Sequence, residues 1–200
     1  MIRTLRGSIC FGALIAIFIA ACATTRLTSA WKDPAYNGQP RKIMVIEVAK
    51  KPAIKRIFED EFVRQLKAHG VDAVASYTVM SDQVQDDHMV IARKVKEQGA
   101  DAVLISRLVS KKTVHTYYPP ANYGNCWDYY GYCSQSMYAP GYTAEDEYAL
   151  METSLYDARN DKLIWSAASE TEMLGSDQDQ IITYVGVMMK AMAEQNVLRQ

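Results

Sequence analysis

Three short apolar runs, separated by two amphipathic stretches, dominate the first part of the hydrophobic pattern. The runs cover residues 42–48, 71–77 and 102–109, and the first is nearly continuous and β-branched, as expected for a strand covered on both faces. Residues 53–68 and 87–98 instead carry apolar side chains at helical spacing. Strand, helix, strand, helix, strand at this spacing predicts three parallel strands joined by right-handed crossovers.

Single residues mark where these two helices begin and end. Gly70 and Gly99 directly follow the helical patterns and are well placed as C-terminal stops. Ser81 or Asp86 is the candidate cap of the second helix. The first helix carries its charged residues on faces other than the apolar stripe, namely Lys55, Arg56, Glu59, Asp60 and Arg64.

After residue 144 the pattern changes to alternation and then returns to a helical period. Residues 147–157 and 162–172 predict two antiparallel strands, and residues 158–161 favour a hairpin turn between them. Residues 177–198 predict a last helix, whose apolar stripe consists of Ile181, Val185, Met188, Met189 and Met192. Methionines at helical spacing indicate core filler rather than a metal or cofactor site. The whole pattern predicts an α/β domain of order β-α-β-α-β, long loop, β-hairpin, α, with helices packed on a mixed five-stranded sheet.

Residues 112–144 break this pattern and predict a long insertion loop. Eight of the chain's 13 tyrosines fall here, together with prolines and glycines that disfavour a regular helix or a long strand. Two interpretations stay open: the aromatic rings form a contact surface, or the loop folds back and the rings cover apolar surface of the sheet. The candidate contact residues are Tyr117, Tyr118, Tyr123, Trp127, Tyr129, Tyr130, Tyr132 and Tyr138.

The N-terminus combines a positive head, a short apolar run and small residues before a cysteine. Arg3 and Arg6 precede the run of residues 9–21, which is shorter than the ~20 residues a bilayer-spanning helix needs. These features predict a secretory signal peptide over residues 1–21, followed directly by Cys22. In the alternative interpretation the signal peptide is an ordinary one and Cys22 is incidental.

The segment that ends at Cys22 resembles the lipobox of bacterial lipoproteins. The resemblance implies that Cys22 is acylated and anchors the chain in a membrane. Ala23 then favours the outer membrane of a Gram-negative bacterium, with the protein facing the periplasm. Residues 22–41, interrupted by prolines and a glycine, predict a lipid-anchored tether, and residues 42–200 a single α/β domain with the Tyr-rich insertion loop.

The net charge of the mature chain limits the classes of partner that we expect. The signal peptide carries two of the 22 basic residues and none of the 23 acidic ones, so the mature chain has a net charge of −3. This balance implies no basic face of the kind that binds nucleic acid, and we expect no nucleic-acid partner.

Cys126 and Cys133 are the cysteines that remain once the signal peptide and Cys22 are set aside. An oxidising periplasm would join such a pair. Closing so small a loop should stabilise the fold by ~2–3 kcal/mol. We therefore predict a structural disulfide, and the alternative is two free thiols in a mobile loop.

The sequence lacks the arrangements typical of active sites, so we expect no catalytic residue, cofactor or metal. The three histidines lie in unrelated segments, and no nucleophile elbow or phosphate-cradling glycine loop is present. The alternative is an envelope hydrolase that acts on a glycan or peptide with paired carboxylates. Its candidate carboxylates are Glu145, Glu147, Glu170 and Glu172.

Several short motifs resemble those of one family. They are Ser29-Ala30-Trp31-Lys32-Asp33-Pro34, Gly99-Ala100-Asp101-Ala102, and Tyr156-Asp157-Ala158 followed by Lys162-Leu163-Ile164-Trp165-Ser166. With the lipobox, they are similar to motifs of small bacterial outer-membrane lipoproteins that carry a domain of unknown function. The resemblance implies a fold similar to the N-terminal part of TolB and to lipoproteins that activate cell-wall synthases, and it brings no catalytic residues. We expect a lipid-anchored, non-catalytic binding or accessory module that contacts an envelope protein or peptidoglycan through the Tyr-rich loop.

Overall fold

The computed structural model describes residues 25–81, 87–118, 127, 130–131 and 142–198. The strands in this part of the chain are β1 (Thr25–Lys32), β2 (Lys42–Val48), β3 (Asp72–Ala75), β4 (Ala102–Tyr118), β5 (Tyr142–Asp157) and β6 (Leu163–Glu172). The α-helices with described ends are α1 (Pro52–Ala68), α2 (His88–Glu97) and α3 (Asp177–Glu194), and a 3₁₀ turn follows β3 at Ser76–Thr78. The strands form one mixed sheet in the order β1-β6-β5-β4-β2-β3. The predicted α/β class and order of elements are confirmed, with six strands instead of five.

The parallel part of the sheet is built by the two crossovers that the pattern predicts. β2 lies between β3 and β4 and runs parallel to both, with Lys42 opposite Asp72 and Ile43 opposite Ala102. β4, β5 and β6 are antiparallel neighbours. The turn between β5 and β6 contains Asp161 in the left-handed region, at a φ of 58°, and aspartate tolerates that conformation.

The main core lies between the sheet and the layer formed by α1 and α3. Ile43 and Val45 of β2 belong to this core, whereas Met44 packs with Val95 of α2 on the other face. Because successive strand residues face opposite sides, the apolar run of β2 is covered on both faces, as predicted. The α3 stripe predicted as core filler is buried throughout, at Ile181, Val185, Met188, Met189 and Met192.

Residues 25–32 differ from the expected tether, because they form β1 at one edge of the sheet. β1 pairs antiparallel with β6, starting with Thr25 opposite Thr171. At the other end of the strand, the Lys32 ammonium donates to the backbone carbonyl of Gln195 at 3.0 Å and so contacts the end of α3. The sequence did not predict this strand because it is a mostly exposed edge strand with little apolar alternation. Its register also has an irregularity between Leu27 and Ser29.

β4 and β5 extend beyond the rest of the sheet. β2 pairs with β4 only as far as Arg107, and β6 pairs with β5 only from Tyr148 onwards. The two strands nevertheless continue to pair with each other, as a two-stranded antiparallel extension. We refer to residues 113–118 and 142–147 as the ribbon.

The ribbon corrects the expected bounds of the insertion loop. Residues 112–118 and 142–144 were expected in the loop and instead belong to β4 and β5, which pair as far as Tyr118 opposite Tyr142. The prolines and glycines that disfavour a strand fall within residues 119–141. The strand segments themselves are polar on both faces, so their alternation gives no hydrophobic signal.

The residues that flank the helices agree with the sequence-based prediction at two helix ends and differ at one. α2 begins at Asp87, whose carboxylate accepts from backbone N–H groups of the first turn, instead of at the expected Ser81 or Asp86. Gly70 and Gly99 follow α1 and α2 with φ values of 75° and 64°, as expected of C-terminal stops. Within the residues that the structure describes, no helix is long and apolar enough to cross a membrane.

Candidate functional site

The ribbon ends in a group of exposed tyrosines. The rings of Tyr118 and Tyr142 stack across the two strands, with centroids 5.0 Å apart and planes 16° from parallel. Tyr142 is 66% exposed, and Tyr117, which precedes Tyr118 in β4 and so lies on the opposite face of the ribbon, is 61% exposed. A cross-strand aromatic pair fixes the positions of its rings, so the ribbon presents broad amphipathic surface with little side-chain freedom.

Two further predicted contact residues are described, and both are exposed. Trp127 is 78% exposed and Tyr130 is 67% exposed. With Tyr117 and Tyr118, four of the eight predicted contact residues are therefore described, and all four are exposed. The remaining predicted site residues lie outside the described part of the chain, namely Cys22, Tyr123, Cys126, Tyr129, Tyr132, Cys133 and Tyr138.

An ion-pair network crosses the sheet at the base of the ribbon. Glu170 of β6 accepts from Arg26 of β1 at 2.8 Å and from Lys112 of β4 at 3.2 Å. The two hydrogen bonds hold the pKa of Glu170 below its ordinary value. The Lys112 ammonium also lies 5.9 Å from the centre of the Tyr148 ring. These contacts tie three strands together and keep Glu170 ionised.

The four carboxylates considered for a hydrolase divide between the two faces of the sheet. Glu172 lies opposite Tyr148 and Glu170 lies opposite Leu150, so both β6 carboxylates are on the same face of the sheet as Tyr148. Glu147 precedes Tyr148 in β5 and is therefore on the other face. Glu145 shares the face of Glu147 and is 3.3 Å from the His115 ring nitrogen across the ribbon. Glu145 and Glu147 therefore do not face the β6 carboxylates across a common cleft.

A second candidate site is a group of buried polar side chains where β2 meets α1. Glu59 of α1 is completely buried, and its carboxylate accepts from the Ser76 hydroxyl at 2.7 Å and from the Tyr77 backbone N–H at 3.1 Å. The same carboxylate accepts from the Glu47 backbone N–H at 3.0 Å, and the buried Lys55 ammonium lies 3.9 Å away. Burial raises the pKa of Glu59, while the hydrogen bonds and Lys55 oppose that rise. Glu59 thus joins α1, β2 and the turn after β3.

Glu47 is the buried carboxyl group whose hydrogen-bonding capacity is not used up. Its side chain is 2% exposed, and its Oε2 atom has no hydrogen-bond partner among the described residues. Burial raises its pKa to about 8, against the opposing effect of a hydrogen bond with Ser106. Ser106 also lies 3.2 Å from the Tyr184 hydroxyl, which in turn hydrogen-bonds Thr153. A carboxyl group with this pKa is mostly protonated at neutral pH.

Glu47 and Tyr184 line a cavity of about 700 Å³ at the carboxyl end of β2. Its wall is mainly apolar, with contributions from α1, α3, β4, β5 and the residue that follows β6: Ile54, Phe58, Leu108, Met151, Met173 and Ile181. The position follows from the topology, because the carboxyl ends of parallel strands and the start of the following helix meet at one edge of the sheet.

The rim of the cavity is basic. Lys50, Lys51 and Lys111 line it, and the acidic residue among the lining groups besides Glu47 is Asp177. α1 starts at this rim with Lys51 as its N-terminal cap residue, without a side-chain hydrogen bond to the cap and without an acidic residue in the first turn. No acidic side chain in the first turn therefore offsets the positive N-terminal end of the α1 dipole.

The sequence did not predict this cluster. Lys55 and Glu59 were assigned to polar faces of α1, whereas the structure buries both. The usable signal was Glu47, a carboxylate inside an otherwise apolar strand that needs cover on both faces. Among the described residues, no group of three or more histidine, cysteine, aspartate or glutamate side chains could hold a metal ion.

Comparisons with known proteins identify similar structures and no family. No family model matches the chain, and no curated protein matches it. The structure is similar to a PelC dodecamer subunit from Paraburkholderia phytofirmans, at 14% identity and a TM-score of 0.47, over 90% of this chain and 99% of that one. It is also similar to the lipoprotein GNA1162 from Neisseria meningitidis, at 15% identity and a TM-score of 0.44, over 78% of this chain and 98% of that one. At these values the likenesses assign neither a family nor a function to this chain.

Proposed function

We propose that this chain is a lipid-anchored, non-catalytic binding or accessory module of the Gram-negative outer membrane. It faces the periplasm and contacts an envelope protein or peptidoglycan through the ribbon tip and the residues between its strands. The observation that carries this proposal is the exposed aromatic group at the end of the ribbon, where Tyr118 stacks on Tyr142 on one face and Tyr117 is exposed on the other.

The chemistry of the ribbon tip suits recognition. Tyrosine offers large amphipathic contact area at low entropic cost, and its ring can pack on a protein surface or stack on a sugar. A paired ribbon holds the rings before binding, which lowers the cost of ordering them on contact. Trp127 and Tyr130, also exposed, lie in the stretch that connects the two strands and add to the same kind of surface.

The membrane anchor is supported by the lipobox that ends at Cys22. β1 starts at Thr25, three residues later, so the chain between the acylated cysteine and the sheet spans at most ~10 Å. This short connection holds the folded domain close to the membrane surface. In this arrangement the membrane partner is the lipid bilayer itself, reached through the acyl chains on Cys22.

The anchor is tested by acyl labelling and fractionation. Cells given a radiolabelled fatty acid should yield labelled protein in the outer-membrane fraction. The Cys22→Ser variant should carry no label and should leave that fraction. Label that persists in Cys22→Ser would overturn the anchor.

Partner contact is tested by site-specific photocrosslinking in intact cells. A photoreactive residue at Tyr117 or Tyr130 should give one dominant protein or glycan adduct, identified by mass spectrometry. The matched control carries the photoreactive residue in place of Lys96, an exposed position on α2 outside the ribbon. Diffuse adducts at the ribbon, or the same adducts from Lys96, would contradict recognition by the ribbon tip.

A further inference from the structure

We propose that the cavity at the carboxyl end of β2 binds a long-chain amphiphile with an acidic head, such as a fatty acid or a single-chain anionic lipid. The chain lies against the apolar wall, and the head lies at the start of α1. Binding of the ligand in this cavity does not require the ribbon tip.

The size and lining of the cavity fit a hydrocarbon chain. Its volume of about 700 Å³ falls within the ~300–1,000 Å³ typical of small-molecule sites. Phe58 and Ile181 close it on the helix side, and Met151 and Leu108 close it on the sheet side. Methionine adapts to chains of different shape because its side chain is flexible and polarisable. Burying hydrocarbon against this wall supplies the main driving force for binding.

The rim selects the charge of the head. Lys50 and Lys51 immediately precede α1, whose first turn carries no acidic side chain, and Lys111 faces them from β4. Three ammonium groups and an uncompensated helix N-terminus attract an anion together. Asp177 is the opposing charge at the rim, and it leaves the positive groups in excess.

Glu47 supplies a polar group inside the apolar cavity. Its Oε2 atom is buried and lacks a partner among the described residues, and a buried polar atom is costly to leave without a hydrogen bond. In its protonated form, the carboxyl group can exchange a hydrogen bond with an oxygen atom of the ligand and does not repel an acidic head. A cationic amphiphile would instead meet the lysines of the rim.

The position of the cavity indicates membrane lipid as the source of the ligand. Thr25, Thr171, Ala149 and Lys111 lie in one row across β1, β6, β5 and β4, and the last three line the cavity. The cavity therefore lies at the end of the sheet from which the chain leads to Cys22. This step, and only this step, rests on the lipid anchor of the proposed function.

Binding is tested by fluorescence titration with a dansyl-labelled undecanoic acid. The protein is the mature chain, residues 22–200, with Cys22→Ser, which keeps every described residue and removes the protein's own acyl chains. Binding should enhance the fluorescence, and palmitate should displace the probe, whereas hexadecyltrimethylammonium at equal concentration should not. Displacement by lysophosphatidylglycerol would identify membrane lipid as a source, and displacement by palmitate alone would identify free fatty acids.

Two kinds of variant separate the chain site from the head site. Met151→Trp fills the cavity and should weaken probe binding by roughly tenfold or more. Lys50→Glu combined with Lys51→Glu should weaken binding by a similar factor and leave the fold intact, because both side chains are exposed. Lys96→Glu combined with Lys190→Glu changes the net charge equally, away from the cavity, and should leave binding unchanged.

Several results would overturn the proposal. They are the absence of fluorescence enhancement, equal displacement by the cationic amphiphile, and binding that survives both the cavity-filling and the rim variants. Circular dichroism of each variant shows whether a loss of binding reflects a loss of fold. The titration does not depend on the outcome of the crosslinking at the ribbon tip, so the proposed function and the proposed lipid site can each fail without the other.

Discussion

The backbone N–H of Glu47 donates to the side-chain carboxylate of Glu59 at 3.0 Å, which joins two buried carboxyl-bearing residues whose side chains differ in their hydrogen bonding. Glu59 also accepts from Ser76 and Tyr77, and these hydrogen bonds oppose the burial that raises its pKa. The side chain of Glu47 has an oxygen atom without a partner among the described residues, and burial raises its pKa to about 8. One carboxyl group therefore holds the fold together, and the other is available for a ligand or a proton.

The raised pKa of Glu47 predicts how stability depends on pH. The folded protein keeps a proton on Glu47 that the unfolded chain releases above its ordinary pKa of 4.5. The free energy of unfolding should therefore fall as pH rises from 4.5 to about 8, by up to ~1.4 kcal/mol per pH unit from this group. The groups that face Glu47 are Glu59 and Lys55 of α1, Ser106 of β4 and Tyr184 of α3.

Glu47→Gln isolates this contribution, because glutamine has a similar shape and no titration. Urea unfolding between about pH 5 and about pH 8 should show a shallower loss of stability in the variant than in the parent chain. At the alkaline end of the range the variant should be the more stable of the two. Parallel pH profiles for the two proteins would show that Glu47 titrates normally in the folded state.

Glu59→Gln should destabilise the protein strongly. One carboxylate oxygen becomes an amide NH₂ group, which cannot accept the hydrogen bonds that reach this side chain from three donors. Leaving a buried donor unpaired costs ~1–3 kcal/mol, and we expect a loss of that size in the free energy of unfolding measured with urea. Asp60→Asn is the matched control, because Asp60 is the adjacent, exposed carboxylate on α1. Equal effects of the two substitutions would contradict the structural role of Glu59.

The parts of the fold that the sequence predicts are those in which burial and periodicity coincide. Met44 lies within a run that is apolar at every position except Lys42 and Glu47, so β2 could be predicted as a strand covered on both faces. Met188 lies on a stripe with helical spacing, so its burial in α3 could be predicted as well. In both elements the local pattern carries the same information as the tertiary contacts.

The parts that the sequence misses depend on partners distant in the chain. β1 is held by β6, about 140 residues away, through pairs such as Arg26 with Glu170. Glu59 is buried because Ser76 and Tyr77 supply its hydrogen bonds, and a helical wheel of α1 contains no information about them. The tyrosines could be predicted as a group, but the ribbon that presents Tyr142 arises from polar cross-strand pairs without a hydrophobic pattern.

Thr153→Val should lower the free energy of unfolding by ~1–2 kcal/mol, because the buried Tyr184 hydroxyl loses its hydrogen bond with Thr153 and keeps the one with Ser106. Thermal unfolding of the purified chain measures this loss. Thr113→Val makes the same chemical change at an exposed ribbon position and should stay within ~0.5 kcal/mol of the parent. With Tyr184→Phe already present, Thr153→Val should cost much less. An undiminished cost in that background would show that the threonine hydroxyl stabilises the fold by another contact.

Tyr142→Ala should loosen the end of the ribbon and leave the rest of the fold intact. The stack of Tyr142 on Tyr118 is worth ~0.5–1.5 kcal/mol. It lies beyond the point where β2 and β6 support the two strands. Local opening of a segment with so few neighbours requires less free energy than global unfolding.

Hydrogen exchange measured by mass spectrometry separates the two levels. In Tyr142→Ala, exchange should become faster at the end of β4 near Tyr118 and stay unchanged in β2 and α3. Tyr117→Ala is the matched control, because Tyr117 is equally exposed and belongs to no ring pair among the described residues. Faster exchange throughout the sheet would mean that the ribbon supports the whole fold. Unchanged exchange at the tip would mean that the stacked rings do not hold it, and the preorganised surface assigned to the ribbon would then be lost.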